Sequence, residues 1–576
     1  MKRHIILITT LALLAVTAFG QHDEQVTVEG KYRPKVNKVS KLQLTPETPQ
    51  PSYNFPSSEV SPKEAKQKFA LDLEKIAPTG YAAKNDKLVT PTQNFIMAGL
   101  GTRLSPIFLY NHNSMLTKTL GLGVGIKHNS SWLNMKDYAP SSFMNNAFDV
   151  NLTTSRLDGF QIDGGVFYKN DMYHYYGMRI PNEGETLGIT ESIIEKACPR
   201  QTYNTIGGHL GLASTTTRVG ELSHDAHLDY FYLFDREHNI DFGYTLAYTD
   251  NFWGDKSHPQ KLGIDLGFQY DYCKGQESYL YVVDRIWFKA TPFFEMSDEF
   301  YRLHLGVRLD GATKDVEGDH FLSVRPDVSG SLFVLNKKLE FYAGLNGGRQ
   351  LLRFSDLVNE NPFINPDINP SLRTQNVKLG FEGGIRTNIV EIVDLHLGVR
   401  YRHVDNDPLF QQRKINVPYP IPEGFEIPIW NSYDVIFDET QTVNVLADIR
   451  VKLRNGLTGD LGFAYNNCKP KNEEFAWYRP TLEGKLKLTY DLNEKLSFNT
   501  AFLYQGGRYA KVFGSDGHQA VKMKDVFDLS LGADYKINDQ ITAFALLDNV
   551  ANQKYDLYYN YPVTGIQFFA GVKLRF

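Results

Sequence analysis

At its C-terminal end the chain alternates with a period of two. Phe568, Ala570, Val572, Leu574 and Phe576 fall on one parity, and Gln567, Phe569, Gly571, Lys573 and Arg575 on the other. Successive side chains of a strand point to opposite faces, so this stretch predicts a strand with one apolar and one mostly polar face. Phe569 is the exception on the polar side. The alternation recurs back to about Gln93. Leu120, Leu122, Val124 and Ile126 oppose Gly121, Gly123, Gly125 and Lys127. Phe160, Ile162, Val166 and Tyr168 repeat it, as do Leu262, Ile264, Leu266, Phe268 and Tyr270. Tyr301, Leu303, Leu305, Val307 and Leu309 face away from Arg302, His304, Gly306 and Arg308. Val393, Leu395, Leu397, Val399 and Tyr401 oppose Asp394, His396, Gly398, Arg400 and Arg402. Leu482, Leu486, Leu488 and Tyr490 follow, then Phe527, Leu529, Leu531, Ala533 and Tyr535.

Most of these runs reach about ten residues or more, against a mean near 5–6 for soluble strands. Crossing a bilayer at the usual tilt takes about 9–11 residues. The apolar parity is also nearly free of charge. A cation on a lipid face near the midplane costs about 2–4 kcal/mol, a penalty that would keep charge off it.

The breaks between runs come in two sizes. Leu157-Asp158-Gly159, Asn336-Lys337-Lys338, Arg454-Asn455-Gly456, Leu492-Asn493-Glu494 and Asn538-Asp539 read as tight turns. Long polar connections fall at about 129–145, 170–201, 347–375, 405–439, 468–479, 507–524 and 550–563. Short and long alternate, as periplasmic turns and outer loops do in an outer-membrane barrel. The expected fold is therefore all-β: a transmembrane antiparallel β-barrel over residues 93–576 of about 22 strands, with long extracellular loops and a periplasmic C-terminus. Regions 104–116 and 216–259 are its least regular parts.

Before the barrel the texture differs. Lys2, Arg3 and His4 precede an apolar run over residues 5–16, and Ala18-Phe19-Gly20 supplies small residues for cleavage. Residues 1–20 read as a secretory signal peptide, with the mature chain starting at Gln21. The run is too short for a spanning anchor. Residues 21–92 are rich in proline, lysine, glutamate and serine and lack periodicity. One short strand is expected at 25–30 and one amphipathic helix at 61–76. This segment is read as a periplasmic arm without a core of its own.

Composition changes this picture little. A mean hydropathy of −0.35 looks soluble, but polar lumen residues dilute the average of any barrel. The formal charge of −5 gives no reason to expect nucleic acid as a partner. Cys198, Cys273 and Cys468 lack metal-ligand spacing and read as incidental, with one loop disulfide as the alternative.

No catalytic, cofactor or metal constellation stands out, and no enzyme is expected. Ser223-His224-Asp225 and His227 resemble a cluster, but His224 and His227 have opposite parity and face opposite sides. Gly207-Gly208-His209-Leu210-Gly211 precedes a strand rather than a helix N-terminus, so it is no phosphate cradle. Tyr173-His174-Tyr175-Tyr176 and Tyr558-Tyr559-Asn560-Tyr561 read as interface girdle, with ligand stacking by outer loops as the alternative. Arg302, Arg308, Arg400 and Arg402 read as partners of lumen carboxylates such as Asp394 and Glu382, the usual use, with attraction of anionic solutes as the alternative.

The stretch Phe544-Ala545-Leu546-Leu547-Asp548-Asn549-Val550-Ala551-Asn552-Gln553-Lys554-Tyr555, a Tyr-rich loop to Tyr561-Pro562, and a final strand ending on Phe576 resemble the end of TonB-dependent outer-membrane receptors. Gly99-Leu100-Gly101-Thr102-Arg103-Leu104-Ser105-Pro106 resembles a plug-less, receptor-like group of Bacteroidota. The resemblance implies location in the outer membrane of a Gram-negative bacterium and a role in binding or transport. It also implies a plug domain, which residues 21–92 do not resemble, and a TonB-contacting box, to which Val26-Thr27-Val28-Glu29-Gly30 is similar only as any extended segment is. Energy-coupled uptake is therefore not carried over. Since barrels of this size are normally plugged, the loops 170–201, 347–375 and 405–439, or part of residues 21–92, are expected to fill the lumen.

Two functions remain open on sequence: a receptor-like binding or transport barrel, or a structural subunit of a larger outer-membrane assembly or secretion complex. Phe568, Val572, Leu574 and Phe576 resemble the C-terminal signal read by the barrel-assembly machinery. Outer-membrane lipid and that machinery are the expected partners, with other outer-membrane proteins or surface lipoproteins as further ones.

Overall fold

The computed structural model describes residues 93–576 apart from 158, 181–190, 216–218, 254–257, 276–281, 314–321, 367–371, 389–391, 415–427, 454–455 and 515–516. The expected signal peptide, the strand at 25–30, the helix at 61–76, and the turn residues Asp158, Arg454 and Asn455 lie outside the described residues. A single 22-stranded antiparallel sheet runs in chain order and closes on itself. The first strand, Asn94–Gly101, pairs with the second and also with the last, Gln567–Arg575. The seam runs from Phe95 opposite Arg575 to Gly101 opposite Phe569. It is locked at its end where the Asn94 N–H donates to the Phe576 carbonyl at 2.8 Å and the Phe576 N–H donates back at 3.1 Å. Closure leaves no unpaired edge in the wall, as a spanning sheet requires. Among the described residues no helix is long and apolar enough to cross a membrane.

The outer face is the apolar parity. Phe568, Val572 and Phe576 are exposed, as are Leu305, Val307, Leu309, Leu397 and Val399, and Leu574 is half-buried on the same side. The irregular regions resolve into the strands Ser105–Met115, Glu221–Leu233 and Glu237–Asp250. Phe569 points inward and is fully buried with Met97, Ile107 and Phe544. Its ring lies over Gly101, where an added Cβ would sit 2.2 Å from it. The aromatic residue thus covers backbone that glycine leaves bare. Gly101→Val is expected to push this ring off the seam, and loss of the heat-modifiable folded band on a gel checks it. A Val variant folding at wild-type yield would contradict the packing.

Connections at the rim carrying the C-terminus are short, as at 116–119, 298–300, 335–338, 492–495 and 537–540. Those at the far rim are mostly long, as at 132–142, 175–199, 352–373, 471–481, 507–525 and 549–566, although 102–104 and 234–236 are tight. Four of the expected long loops carry structure of their own. Region 405–439 is strand at both of its ends, because Val393–Gln412 and Tyr433–Lys452 form one hairpin of 20-residue arms. A bulge between Val404 and Asp407, with Asn406 at φ 53, bends its tip away from the wall. Region 507–525 holds a small hairpin, Tyr509–Gly514 with Gly517–Lys522. Region 352–373 holds the short helix Phe354–Glu360, and 175–199 holds another, Glu191–Ala197.

Candidate functional site: the capped mouth

The far-rim loops fold together over the barrel mouth around one aromatic core. Phe363, from 352–373, is its centre. Its ring stacks on Tyr561 at 3.6 Å and meets Tyr173, Tyr175, Tyr176 and Tyr558 edge-on at 5.6–6.5 Å. Edge-to-face contacts of this kind add about 0.5–1.5 kcal/mol each beyond area burial. Around it lie Phe231 and Leu233 from the wall, Leu409, Phe410, Tyr433 and Val435 from the bent hairpin tip, and Trp477 and Tyr478 from 471–481. Residues scattered from 175 to 561 are thereby tied into one cluster.

Tyrosine hydroxyls join the loops by their backbones. The Tyr175 hydroxyl donates to the Ile364 carbonyl at 2.7 Å, and Tyr176 to Pro562 at 3.1 Å. Tyr433 donates to Tyr559 at 2.7 Å, and Tyr558 to Glu360 at 2.8 Å. The two tyrosine clusters read from sequence as girdle are therefore not girdle. Tyr175 and Tyr561 are fully buried and Tyr176 is nearly so, inside the mouth rather than at a lipid interface. The chain turns inward beyond the strand ends, which parity alone does not reveal.

Buried ion pairs fasten the same cap. Glu237, at the rim of the wall, accepts from the Phe354 N–H at 2.9 Å and the Ser355 N–H at 3.0 Å, capping the Phe354–Glu360 helix from across the mouth. A carboxylate there satisfies N–H groups that the helix cannot pair itself. Arg353 chelates Asp356 at 2.8 Å and reaches Asn239 at 3.3 Å. Glu237→Ala is expected to cost about 1–2 kcal/mol of local stability. Faster hydrogen exchange at the amides of 354–357, with the wall unchanged, checks it. On the other side Arg479 grips Asp407 by two bonds, 2.6 and 3.0 Å, and donates to the Pro408 carbonyl at 2.9 Å. Asp407 also accepts from Thr440 at 2.6 Å and Gln375 at 3.1 Å.

Glu360 ends the helix within this core. Burial pushes its carboxyl up to about 7, helped by the nearby Asp407 and Asp356 and opposed by Arg479. A closed-state value above the ordinary one means that the closed cap binds the proton more tightly than an open one. Closure is fully supported below about pH 4.5 and loses that contribution as pH rises through 7. Protection factors of cap amides, corrected for the intrinsic pH dependence of exchange, are expected to fall from pH 5 to pH 8, and Glu360→Gln is expected to flatten that fall.

Between 471–481 and the wall lies a half-open pocket of about 430 Å³. Asn444, Asn466 and Glu483 line its wall side, and Phe475, Arg479 and Tyr509 its loop side. Elsewhere the lumen is polar and ion-paired, with Lys289–Asp265 at 2.6 Å, Arg308–Asp310 at 3.0 Å and Arg400–Glu382 at 3.5 Å. The Arg400 pair is the expected one. Arg308 takes Asp310 instead, and Arg302 lies over the Phe333 ring. His224 bonds the Tyr244 hydroxyl at 2.7 Å, while His227 lies 4.0 Å from Asp241, so the Ser223-His224-Asp225 cluster is not assembled. Cys198, Cys273 and Cys468 are all free thiols.

No family model matches the sequence, and no curated protein matches it. Solved structures do. The pyoverdine outer-membrane receptor FpvA from Pseudomonas aeruginosa PAO1 superposes with a TM-score of 0.58 at 12% identity, covering 85% of this chain and 80% of its own. The siderophore receptor PirA from Acinetobacter baumannii gives 0.60 at 12% identity over 85% and 81%. The copper transporter OprC gives 0.55 at 14% over 85% and 81%. The fold is the 22-strand barrel of TonB-dependent outer-membrane receptors. A closed barrel with an outward apolar belt is built for the outer membrane of a Gram-negative bacterium, and these neighbours are transport receptors rather than enzymes.

Proposed function

We propose that the protein is a receptor-type barrel that binds a solute at its capped mouth and admits it to the polar lumen when the cap opens. The far rim faces the cell exterior and the C-terminal rim the periplasm. The observation that carries this reading is the shared aromatic core. Segments 173–176 and 558–561 meet 352–373 at Phe363, and the hairpin tip, 471–481 and 507–525 join the same core, which supports a built closure of the mouth. On this reading the far-rim loops gate the lumen, and residues 21–92 belong to the periplasmic side. A structural-subunit role has no comparable observation in its favour. Comparing depletion of medium solutes by wild-type and deletion cells tests the proposal. Slower loss of a defined solute is expected, and identical depletion of every solute would contradict it.

The C-terminal residues Phe568, Val572, Leu574 and Phe576 serve as the signal for the barrel-assembly machinery. Deleting Phe576 also removes two backbone seam hydrogen bonds and one from the Asn94 side chain. Outer-membrane levels are expected to fall severalfold while export continues; wild-type abundance of the folded band would refute this. Surface lipoproteins or other outer-membrane proteins are candidate partners at the far rim.

A further inference from the structure

The outward face of the long hairpin carries charge where its apolar belt ends. On Tyr433–Lys452, Val443, Val445, Ala447, Ile449 and Val451 share the outward parity. Together they fill a bilayer crossing, which takes about 9–11 residues. The neighbouring strands change character at the same level. Val399, Val445 and Tyr465 lie in one row, Tyr401, Val443 and Asn467 in the next, and His403, Gln441 and Lys469 in the row above. Charge on an outward face is costly in hydrocarbon and cheap near the interface, so this upper row sits among lipid headgroups.

Glu439 gathers the charges there. It accepts from Lys378 Nζ at 2.8 Å and from Lys471 Nζ at 2.6 Å, and His403 Nε2 lies 2.6 Å away. Lys378 also pairs with Asp405, at the bulge where the hairpin tip leaves the wall. Lys469 is exposed, and the Lys471 side chain keeps 65% of its surface. Three lysines thus stand against two carboxylates before His403 is counted, and the patch keeps a surplus of positive charge.

The interface is built differently on the strands from Leu120–Ser131 to Arg200–Ser214. There His128, Asn146, Asn170 and Asn204 form one row, joined by bonds of 2.6, 3.1 and 2.7 Å. The row stands directly above the exposed Ile126, Phe148, Tyr168 and Ile206. It holds no lysine or arginine, and its amides bond to one another. A wall can therefore leave the hydrocarbon on neutral groups, and the lysine surplus of the other sector calls for an anion in the leaflet.

We infer that the outward patch of Lys378, His403, Lys469 and Lys471 holds the phosphate of an anionic glycolipid of the outer leaflet. Ammonium groups bind phosphate as point charges, and Glu439 fixes two of them in place. The acyl chains then lie along Val443, Val445 and Tyr465 below. Because Asp405 and Lys471 mark the roots of the hairpin tip and of 471–481, a bound headgroup braces both. The inference needs the far rim to face outward and does not need the cap to open. Native mass spectrometry of the detergent-purified full chain tests it, with diphosphoryl lipid A as the probe and its dephosphorylated form as the control. Each lysine near an anionic lipid contributes roughly fivefold to binding. Lys469→Gln combined with Lys471→Gln is expected to lower lipid A retention at least tenfold while the heat-modifiable band persists. Lys337→Gln combined with Lys338→Gln removes the same charge from a turn at the opposite rim and is expected to leave retention unchanged. Equal retention of the dephosphorylated lipid, or an equal response of the two double variants, would overturn the inference. Displacement of the lipid by millimolar inorganic phosphate would overturn it too, because it would mark a site for the free ion.

Discussion

Arg479→Ala is expected to unfasten 471–481 from the bent hairpin tip while leaving the barrel standing. The guanidinium makes two short bonds to Asp407 and one to the Pro408 carbonyl. Its removal strands a carboxylate that is 2% exposed, with only Thr440 and Gln375 still donating to it. Breaking one side of a buried pair costs about 3–5 kcal/mol, because the remaining charge is left uncompensated. The wall does not depend on this pair, so the loss is local. Lys471, exposed, sits at the base of the loop and is followed by Asn472. Trypsin added to intact cells is expected to cut there in the variant and to spare the wild type. Asp407→Asn in the Arg479→Ala background is expected to restore part of the protection, because it removes the stranded charge. Equal resistance of the single variant would show that the pair does not hold the loop.

The second large effect is at Phe363. This buried ring stacks on Tyr561 and touches four further tyrosines. Removing a buried phenylalanine side chain costs about 3–5 kcal/mol, the larger where neighbours cannot collapse into the space. Here those neighbours belong to separate loops, each anchored to its own strand, so collapse is limited. Phe363→Ala is expected to convert a closed mouth into one that opens often, read as a rise in single-channel events. The two changes should be nearly additive if loops open independently and clearly non-additive if the cap opens as a unit. A cap behaving as one cooperative piece predicts the second.

The division between what the sequence revealed and what it hid follows the solvent. Along the wall, lipid touches every second residue, and a misplaced charge is costly. The runs at Leu305, Val307 and Leu309, or Leu397 and Val399, therefore announce their faces without help from distant residues. The same parity separated His224 from His227. At the mouth the rule ends. Leu409 and Phe410 are adjacent, yet both are buried, because beyond the bulge the hairpin tip is covered on two sides. Tyr173-His174-Tyr175-Tyr176 looks like girdle because its partners, Phe363 and Tyr561, lie far away in the chain. The seven-residue helix Phe354–Glu360 carries a local Arg353–Asp356 capping box, but its first N–H groups are taken by Glu237, over a hundred positions earlier, which no local pattern shows. Phe569 was visible as an anomaly, and the glycine beneath it, Gly101, explains why an aromatic residue belongs on that face. The Asn444–Asn466–Glu483 relay crosses three neighbouring strands, a register that no single run reveals.

Planar-bilayer conductance of the purified wild-type chain tests the gated mouth most directly. A capped barrel is expected to give a quiet baseline with rare, brief openings, and Phe363→Ala frequent ones. Large, steady open-pore currents from the wild type would contradict the account.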